Sequence, residues 1–355
     1  MNKNIMRIIV IGLVITAIIW LQKPAPGEVE RVMPSIKKNG IVAPEMQGIA
    51  GYINTRPVLL KDLVGKKVVL VDFWTYSCIN CQRTLPHVTA WHKKYKDKGL
   101  EIIGVHSPEF DFEKKRENVE RAVKNFGIKY PVVLDNEHGT WNAWQNRYWP
   151  AKYLIDIDGY VAYHHFGEGA YEETERKIQE LLAERAERLG MTESITKEMV
   201  EMGAEEPSFE RIKTPEIYLG PVFTRGNFGN EQGLPAGKTV NYSLPDNFRL
   251  NQVYLEGKWF VDKDHVRLVS DTGRVVLKYD ARNVNIVAGS EAGSGIKTFV
   301  DEKETSGWCS PDGTCNNHVK AEDLYPIING SSYGQRTLTI EVNGAGFRLY
   351  TFTFG

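Results

Sequence analysis

Two cysteines separated by two residues, Cys78 and Cys81, stand at the end of an apolar run in VDFWTYSCINCQ, residues 71–82. A C-x-x-C pair can serve as a redox couple, as half of a zinc site or as a structural staple. Redox work requires the first cysteine at a helix N-terminus, where unpaired backbone N–H groups and the helix dipole favour a thiolate. The sequence supplies that setting: a valine-rich run to Trp74, a short turn, Cys78, and then a helical pattern with Cys81 placed to resolve a mixed disulfide. A zinc site needs two further ligands at close spacing. The other two cysteines, Cys309 and Cys315, are more widely spaced and lie far along the chain, so neither a metal nor a cofactor is expected. They enclose the turn-forming SPDGT with no helix start after them. The expectation there is a structural disulfide contributing about 2–3 kcal/mol.

The elements that must position Cys78 and Cys81 are legible from periodicity. KKVVLVDFW (66–74) reads as a parallel strand buried on both faces. CQRTLPHVTAWHKKYKDKG (81–99) is helical, with Pro86 expected to kink it. LEIIGVH (100–106) and YPVVLD (130–135) read as further strands, separated by a helix that ends at Gly127. A short helix around 137–146, a hairpin over 151–167 turned at Asp158–Gly159, and a charged amphipathic helix over 171–190 complete an α/β pattern. Residues 191–213 are charged and core-poor, as a linker would be. From about Thr214 to Gly355, short alternating segments separated by turn residues, TVNYSL, VRLVS, RVVLKYD, VNIVAG, RTLTIEV and FRLYTFTFG, predict an all-β sandwich of jelly-roll type.

Charge is balanced, with 44 basic and 45 acidic residues and no basic stripe, which argues against nucleic acid as a partner. Lys3 and Arg7 precede the charge-free run Ile8–Leu21. That run has signal-peptide length, no A-x-A-like cleavage site after it, and Trp20 at its far end. Residues 1–23 are therefore expected to be a membrane anchor or signal peptide, 24–40 a proline-punctuated tether, and the remainder extracytoplasmic. Paired cysteines in an exported chain favour disulfide chemistry.

VDFWTYSCINC resembles the active-site strand and turn of the thioredoxin superfamily. The resemblance implies that Asp72, six residues before Cys78, is the buried acid that handles the proton of Cys81. It implies that Pro86 is the proline inside the active-site helix. It also implies that Pro150, in RYWPAKYLID, is a cis-proline facing the disulfide, with the backbone of Trp149 pairing with substrate. The added strand and helix at 130–146 resemble the insertion of the TlpA/ResA-like branch. WTYSCINC, GVHSPEF, RYWPAKYLID and FGEGAYEETE, with a β-domain ending in YTFTFG, resemble over about residues 41–355 the extracytoplasmic part of DipZ-type proteins. That implies a thioredoxin-like domain (41–190) joined to a carbohydrate-binding-like β-sandwich (214–355). It also implies a reductant of exported protein disulfides, of the cytochrome c maturation type. Full DipZ-type proteins carry a CcdA-like membrane domain, so a separate CcdA/DsbD-like electron donor is expected. Where ResA-like proteins have an acid three residues after the second cysteine, this chain has Thr84.

His106 closes the second strand on the Cys78 edge and is a candidate for proton handling or for simple loop packing. Trp74 and Tyr76 read as packing around the turn. Trp259 and Trp308 are either core residues or a glycan-stacking platform on the β-domain. Two other function classes remain open. One is a glycan-binding or scaffold protein acting through its β-sandwich. The other is a peroxiredoxin-like peroxidase, for which Thr75 fits the P-x-x-x-T-x-x-C pattern but Val71 occupies the proline position. In the oxidoreductase reading all the chemistry lies within about 41–190, and a chain ending near Gly190 is expected to fold alone.

Overall fold

The computed structural model describes residues 40–192, 194–202, 208–309 and 315–355, without the side chains of 308–309 and 315–316. The N-terminal anchor and tether lie outside the described residues. Among those described, no helix is long and apolar enough to cross a membrane.

The α/β domain is a six-stranded sheet. Its strands are β1 (Gly51–Ile53), β2 (Val68–Trp74), β3 (Leu100–His106), β4 (Val132–Leu134), β5 (Ala151–Ile155) and β6 (Val161–Phe166), in spatial order β1-β4-β3-β2-β5-β6. β2, β3 and β4 are parallel, and β1, β5 and β6 run against their neighbours. All seven residues of β2 are buried, as expected of a central strand covered by helices on both faces. The helices are α1 (Ile79–Tyr95), α2 (Arg116–Asn125), α3 (Gly139–Ala143) and α4 (Tyr171–Arg188). α1 runs through Pro86. The edge strand β1 escapes the sequence reading because three residues are too few to show a period.

The β-sandwich follows. Its strands begin with β7 (Ile217–Tyr218), β8 (Thr239–Tyr242), β9 (Gln252–Val261), β10 (Val266–Leu268), β11 (Thr272–Asp280), β12 (Asn283–Gly289), β13 (Ser294–Val300) and β14 (Lys303–Glu304). They continue with β15 (Trp308–Cys309), β16 (Cys315–Asn316), β17 (His318–Val319), β18 (Asp323–Asn329), β19 (Gln335–Asn343) and β20 (Arg348–Phe354). One sheet has the order β18-β12-β20-β10-β9-β8 with β7 on β20, and the other the order β11-β19-β13-β14 with β17 on β13. Inward residues of both sheets, among them Leu255, Trp259, Leu277, Ile286, Ile340 and Phe352, form its core. β15 and β16 pair with Cys309 opposite Cys315, but the side chains of that expected staple lie outside the described residues.

The two domains are not joined by a loose tether. Tyr76, Phe110 and Phe112 of the α/β domain share one buried cluster with Tyr218, Val287 and Tyr350 of the sandwich. The Tyr350 ring centroid is 5.1 Å from that of Phe110 and 4.7 Å from that of Phe112. Tyr218 donates its hydroxyl to Glu109 at 2.7 Å, Tyr76 donates to the Glu322 carbonyl at 3.3 Å, and Lys263 pairs with Asp111. The charged segment after α4 is also anchored. The Val200 amide donates to Glu175 at 2.8 Å, Gln179 donates to the Glu198 carbonyl at 3.0 Å, and Ile195 packs on the core. A composition poor in core residues predicted a linker, but a few backbone bonds suffice to seat it.

Candidate active site

Three strand ends meet at one edge of the α/β sheet. Parallel pairing sets Trp74 opposite His106, and antiparallel pairing sets Phe73 opposite Ala151, immediately after Pro150. The turn after β2, the loop after β3 and the start of β5 therefore converge for topological reasons.

Cys78 is the N-cap of α1, with extended backbone angles, and its Sγ accepts the Cys81 amide at 3.3 Å. It is half-buried, whereas Cys81 is 1% exposed; both are free thiols. Burial pushes the Cys81 thiol well up, and the hydrogen bond that the thiol donates to Cys78, the Cys78 charge and the Asp72 charge push the same way. Cys81 thus holds its proton until something nearby removes it.

Asp72 is a buried acid whose charge acts on that thiol. It is 1% exposed, and neither carboxylate oxygen has a hydrogen-bond partner among the described residues. Burial raises it to about 7, and the positive charge of Lys152 works against that rise. The carboxyl therefore titrates near neutrality, as a group that accepts and returns a proton should.

Lys152 is the residue that sequence reading missed. It lies directly opposite Asp72 in the β2–β5 register and is fully buried. Its ammonium donates to the Gly167 carbonyl at 3.3 Å. Burial lowers its pKa, while Asp72 and Cys81 act in the opposite direction. No local signal marks it: every residue of β5 is buried, so alternation along the strand does not separate an inward face from an outward one. Lys152→Met removes the charge that holds the Asp72 pKa down. The carboxyl titration of Asp72, followed by NMR, is expected to move to higher pH in that variant. A midpoint at the wild-type pH would show that the two groups are uncoupled.

The remaining candidates fall into place around this core. The Trp149–Pro150 peptide is cis. Trp149 donates its indole N–H to the Ser107 carbonyl at 2.9 Å and packs on Trp141 at 4.2 Å, so its side chain braces the loop. His106 is fully buried, held by burial at about 3 and hence neutral, and its ring lies between Trp74 and Tyr76. Thr84 is buried and bonds the Tyr171 hydroxyl at 3.2 Å. Trp259 is fully buried and donates to the Glu256 carbonyl at 2.9 Å, which excludes it from a stacking platform; the side chain of Trp308 lies outside the described residues. A groove of about 830 Å³ on the sandwich is lined by Glu256, Arg274, Lys297, His318 and Glu341. Beside α1, a cleft of about 500 Å³ is lined by Ile79 and Arg83 on one side and by Asn283, Pro326 and Ile328 on the other. Since Ile79 follows Cys78 directly, the sandwich borders the approach to the thiol.

Comparison with known proteins bears on the whole of this arrangement. Over 126 residues the chain is 32% identical to the thiol-disulfide oxidoreductase ResA of Bacillus thuringiensis, covering 36% of this chain and 69% of ResA. The chain belongs to the thioredoxin superfamily. Its ResA-like part also matches the AhpC/TSA family over residues 40–164, and residues 214–355 match the thioredoxin like C-terminal domain. Protein DipZ of Mycobacterium tuberculosis is 38% identical over 319 residues, which are 88% of this chain and 43% of DipZ. This chain therefore spans less than half the length of the DipZ protein it matches. A solution structure of a thioredoxin-like protein in the oxidized form aligns with 27% identity over 42% of this chain and 99% of that one, with a TM-score of 0.39. The thioredoxin-like domain followed by a β-sandwich is the architecture that the sequence resemblance implied.

Proposed function

We propose that this chain is an extracytoplasmic thiol–disulfide oxidoreductase that reduces disulfides of exported proteins with the Cys78–Cys81 couple. The observation that carries the reading is the asymmetry of the pair. Cys78 caps the helix and is partly accessible, while Cys81 is buried near a carboxyl that titrates at about 7. The Cys78 thiolate attacks a substrate disulfide, forming a mixed disulfide and releasing one substrate thiolate. Cys81 then gives its proton to Asp72 and attacks the Cys78 sulfur, releasing the second substrate thiolate. The substrate gains two electrons and the chain is left with a Cys78–Cys81 disulfide. A membrane dithiol donor of the CcdA/DsbD kind would restore the dithiol, and cytochrome c maturation is the process in which such a reductant would serve. The Trp149–Pro150 loop would hold the partner chain. In this division of labour residues 41–190 carry the chemistry, and the sandwich over 214–355 shapes access to it.

The peroxidase alternative loses support at Thr75. Its hydroxyl is fully buried and donates to Glu113 at 2.5 Å, so it is committed to the fold rather than to a peroxide. Trapping tests the proposal. Cys81→Ser should accumulate mixed disulfides through Cys78 with model and cellular substrates, while Cys78→Ser should accumulate almost none. Equal trapping by the two variants would sink the assignment.

A further inference from the structure

Glu113 lies in the 3-10 turn Asp111–Lys114, after β3, and is fully buried. Its carboxylate has no part in the mechanism above, yet five donors converge on it. Oε1 accepts from Thr75 Oγ1 at 2.5 Å, from Ser77 Oγ at 2.7 Å and from the Ser77 amide at 3.2 Å. Oε2 accepts from the amides of Glu109 at 2.7 Å and Phe110 at 3.1 Å. One oxygen thus grips the turn that leads into Cys78, and the other grips the loop after β3. An ionised carboxylate has about four lone-pair sites and no proton, which suits a set made only of donors. A carboxamide would turn an NH2 toward one of the two sets and break it.

The turn matters because Ser77 immediately precedes Cys78. With its amide and hydroxyl both held, Ser77 sets the backbone at the helix cap and hence the 3.3 Å contact of the Cys78 sulfur with the Cys81 amide. We propose that Glu113 is a positioning residue of the redox couple, fixing the Thr75–Ser77 turn so that the Cys78 sulfur sits on the Cys81 N–H in the dithiol state. This rests on the reading of Cys78–Cys81 as a redox couple. It adds a residue from a different element, which touches no reacting atom.

The direction of the effect separates positioning from charge. A thiolate sulfur accepts a hydrogen bond better than a disulfide sulfur does, so the fixed contact favours the dithiol. Freeing the turn should therefore favour the disulfide. Deleting a nearby negative charge, taken alone, favours the thiolate and moves the equilibrium the other way.

The test is the equilibrium of the full chain with glutathione at pH 7. Glu113→Gln is expected to shift it toward the disulfide by about three- to tenfold. Ser77→Ala, which removes one of the five donors, is expected to shift it the same way by less. A folded Glu113→Gln protein with lowered melting temperature and an unmoved equilibrium would show a purely structural role and overturn the proposal. A shift toward the dithiol would overturn it in favour of simple charge repulsion. If Glu113→Gln does not fold, an unmoved equilibrium in Ser77→Ala overturns it. A wild-type chain that does not equilibrate with glutathione through Cys78 and Cys81 defeats the functional reading itself, so the two failures are distinguishable.

Discussion

Asp72→Asn is expected to stabilise the folded chain by about 4 kcal/mol at pH 8 and by almost nothing at pH 4, while slowing resolution of the mixed disulfide about a hundredfold. The stability part follows from linkage. Burial raises the carboxyl from 3.8 to about 7. Between those values the folded state binds the proton that the unfolded state has lost, so stability falls as pH rises through this window. The rise from 3.8 to about 7, at about 1.36 kcal/mol per pH unit, gives the magnitude. The side chain is fully buried, so solvent screening does not reduce it. Asparagine has no charge to desolvate and escapes the penalty at every pH. The gain should therefore grow between about pH 4 and pH 7 and stay level above. The kinetic part follows from the Cys81 thiol, which burial keeps protonated and which, in the proposed mechanism, gives its proton to Asp72. Formation of the mixed disulfide uses Cys78 and should change little. Denaturant melts at pH 4 and pH 8, with stopped-flow traces of both steps, check the prediction. An equal gain at both pH values would mean that Asp72 ionises normally, and the proton-transfer role would fall with it.

Removing the β-sandwich should have the second large effect. A chain ending at Gly190 was expected from sequence to fold by itself with an intact site. The structure argues otherwise, because Tyr76, Phe110 and Phe112, buried in the full chain, lose Tyr218, Val287 and Tyr350 as neighbours. Exposing part of three aromatic side chains costs on the order of 5 kcal/mol, a large fraction of an ordinary domain's stability. For a domain of this size that corresponds to roughly 10–20 °C in melting temperature. Tyr76 lies two residues before Cys78, so the truncated chain should also exchange disulfides differently from the full one. Calorimetry of the truncated and full chains decides it. A truncated domain that melts within a few degrees of the corresponding transition in the full chain would mean that the interface contributes little.

These expectations draw unequally on sequence and structure, and the division has a physical basis. Local patterns were enough for β2, for the turn and helix that carry Cys78 and Cys81, and for the apolar flank that buries Asp72. Strand and helix periods, turn residues and capping positions act over a few residues and can be read from a few residues. The six sandwich strands foreseen between Thr239 and Phe354 are of the same kind. They correspond to β8, β10, β11, β12, β19 and β20, whereas the long β9, β13 and β18 and the short β7 and β14 to β17 went unread. Lys152 and Glu113 were beyond that reach. A lysine or glutamate in a sequence is expected at the surface, and only long-range pairing places these two inside. Lys152 is buried because β5 returns to lie against β2, 80 positions earlier in the register. Glu113 is buried because the loop after β3 folds back on the turn after β2, where five donors wait. The contact of Tyr350 with Phe110 and Phe112 joins residues more than 200 positions apart. A one-dimensional pattern states which face of an element is apolar. Which apolar face meets which, and which charged group is enclosed between them, is decided only when the strands take their register and the domains close on each other.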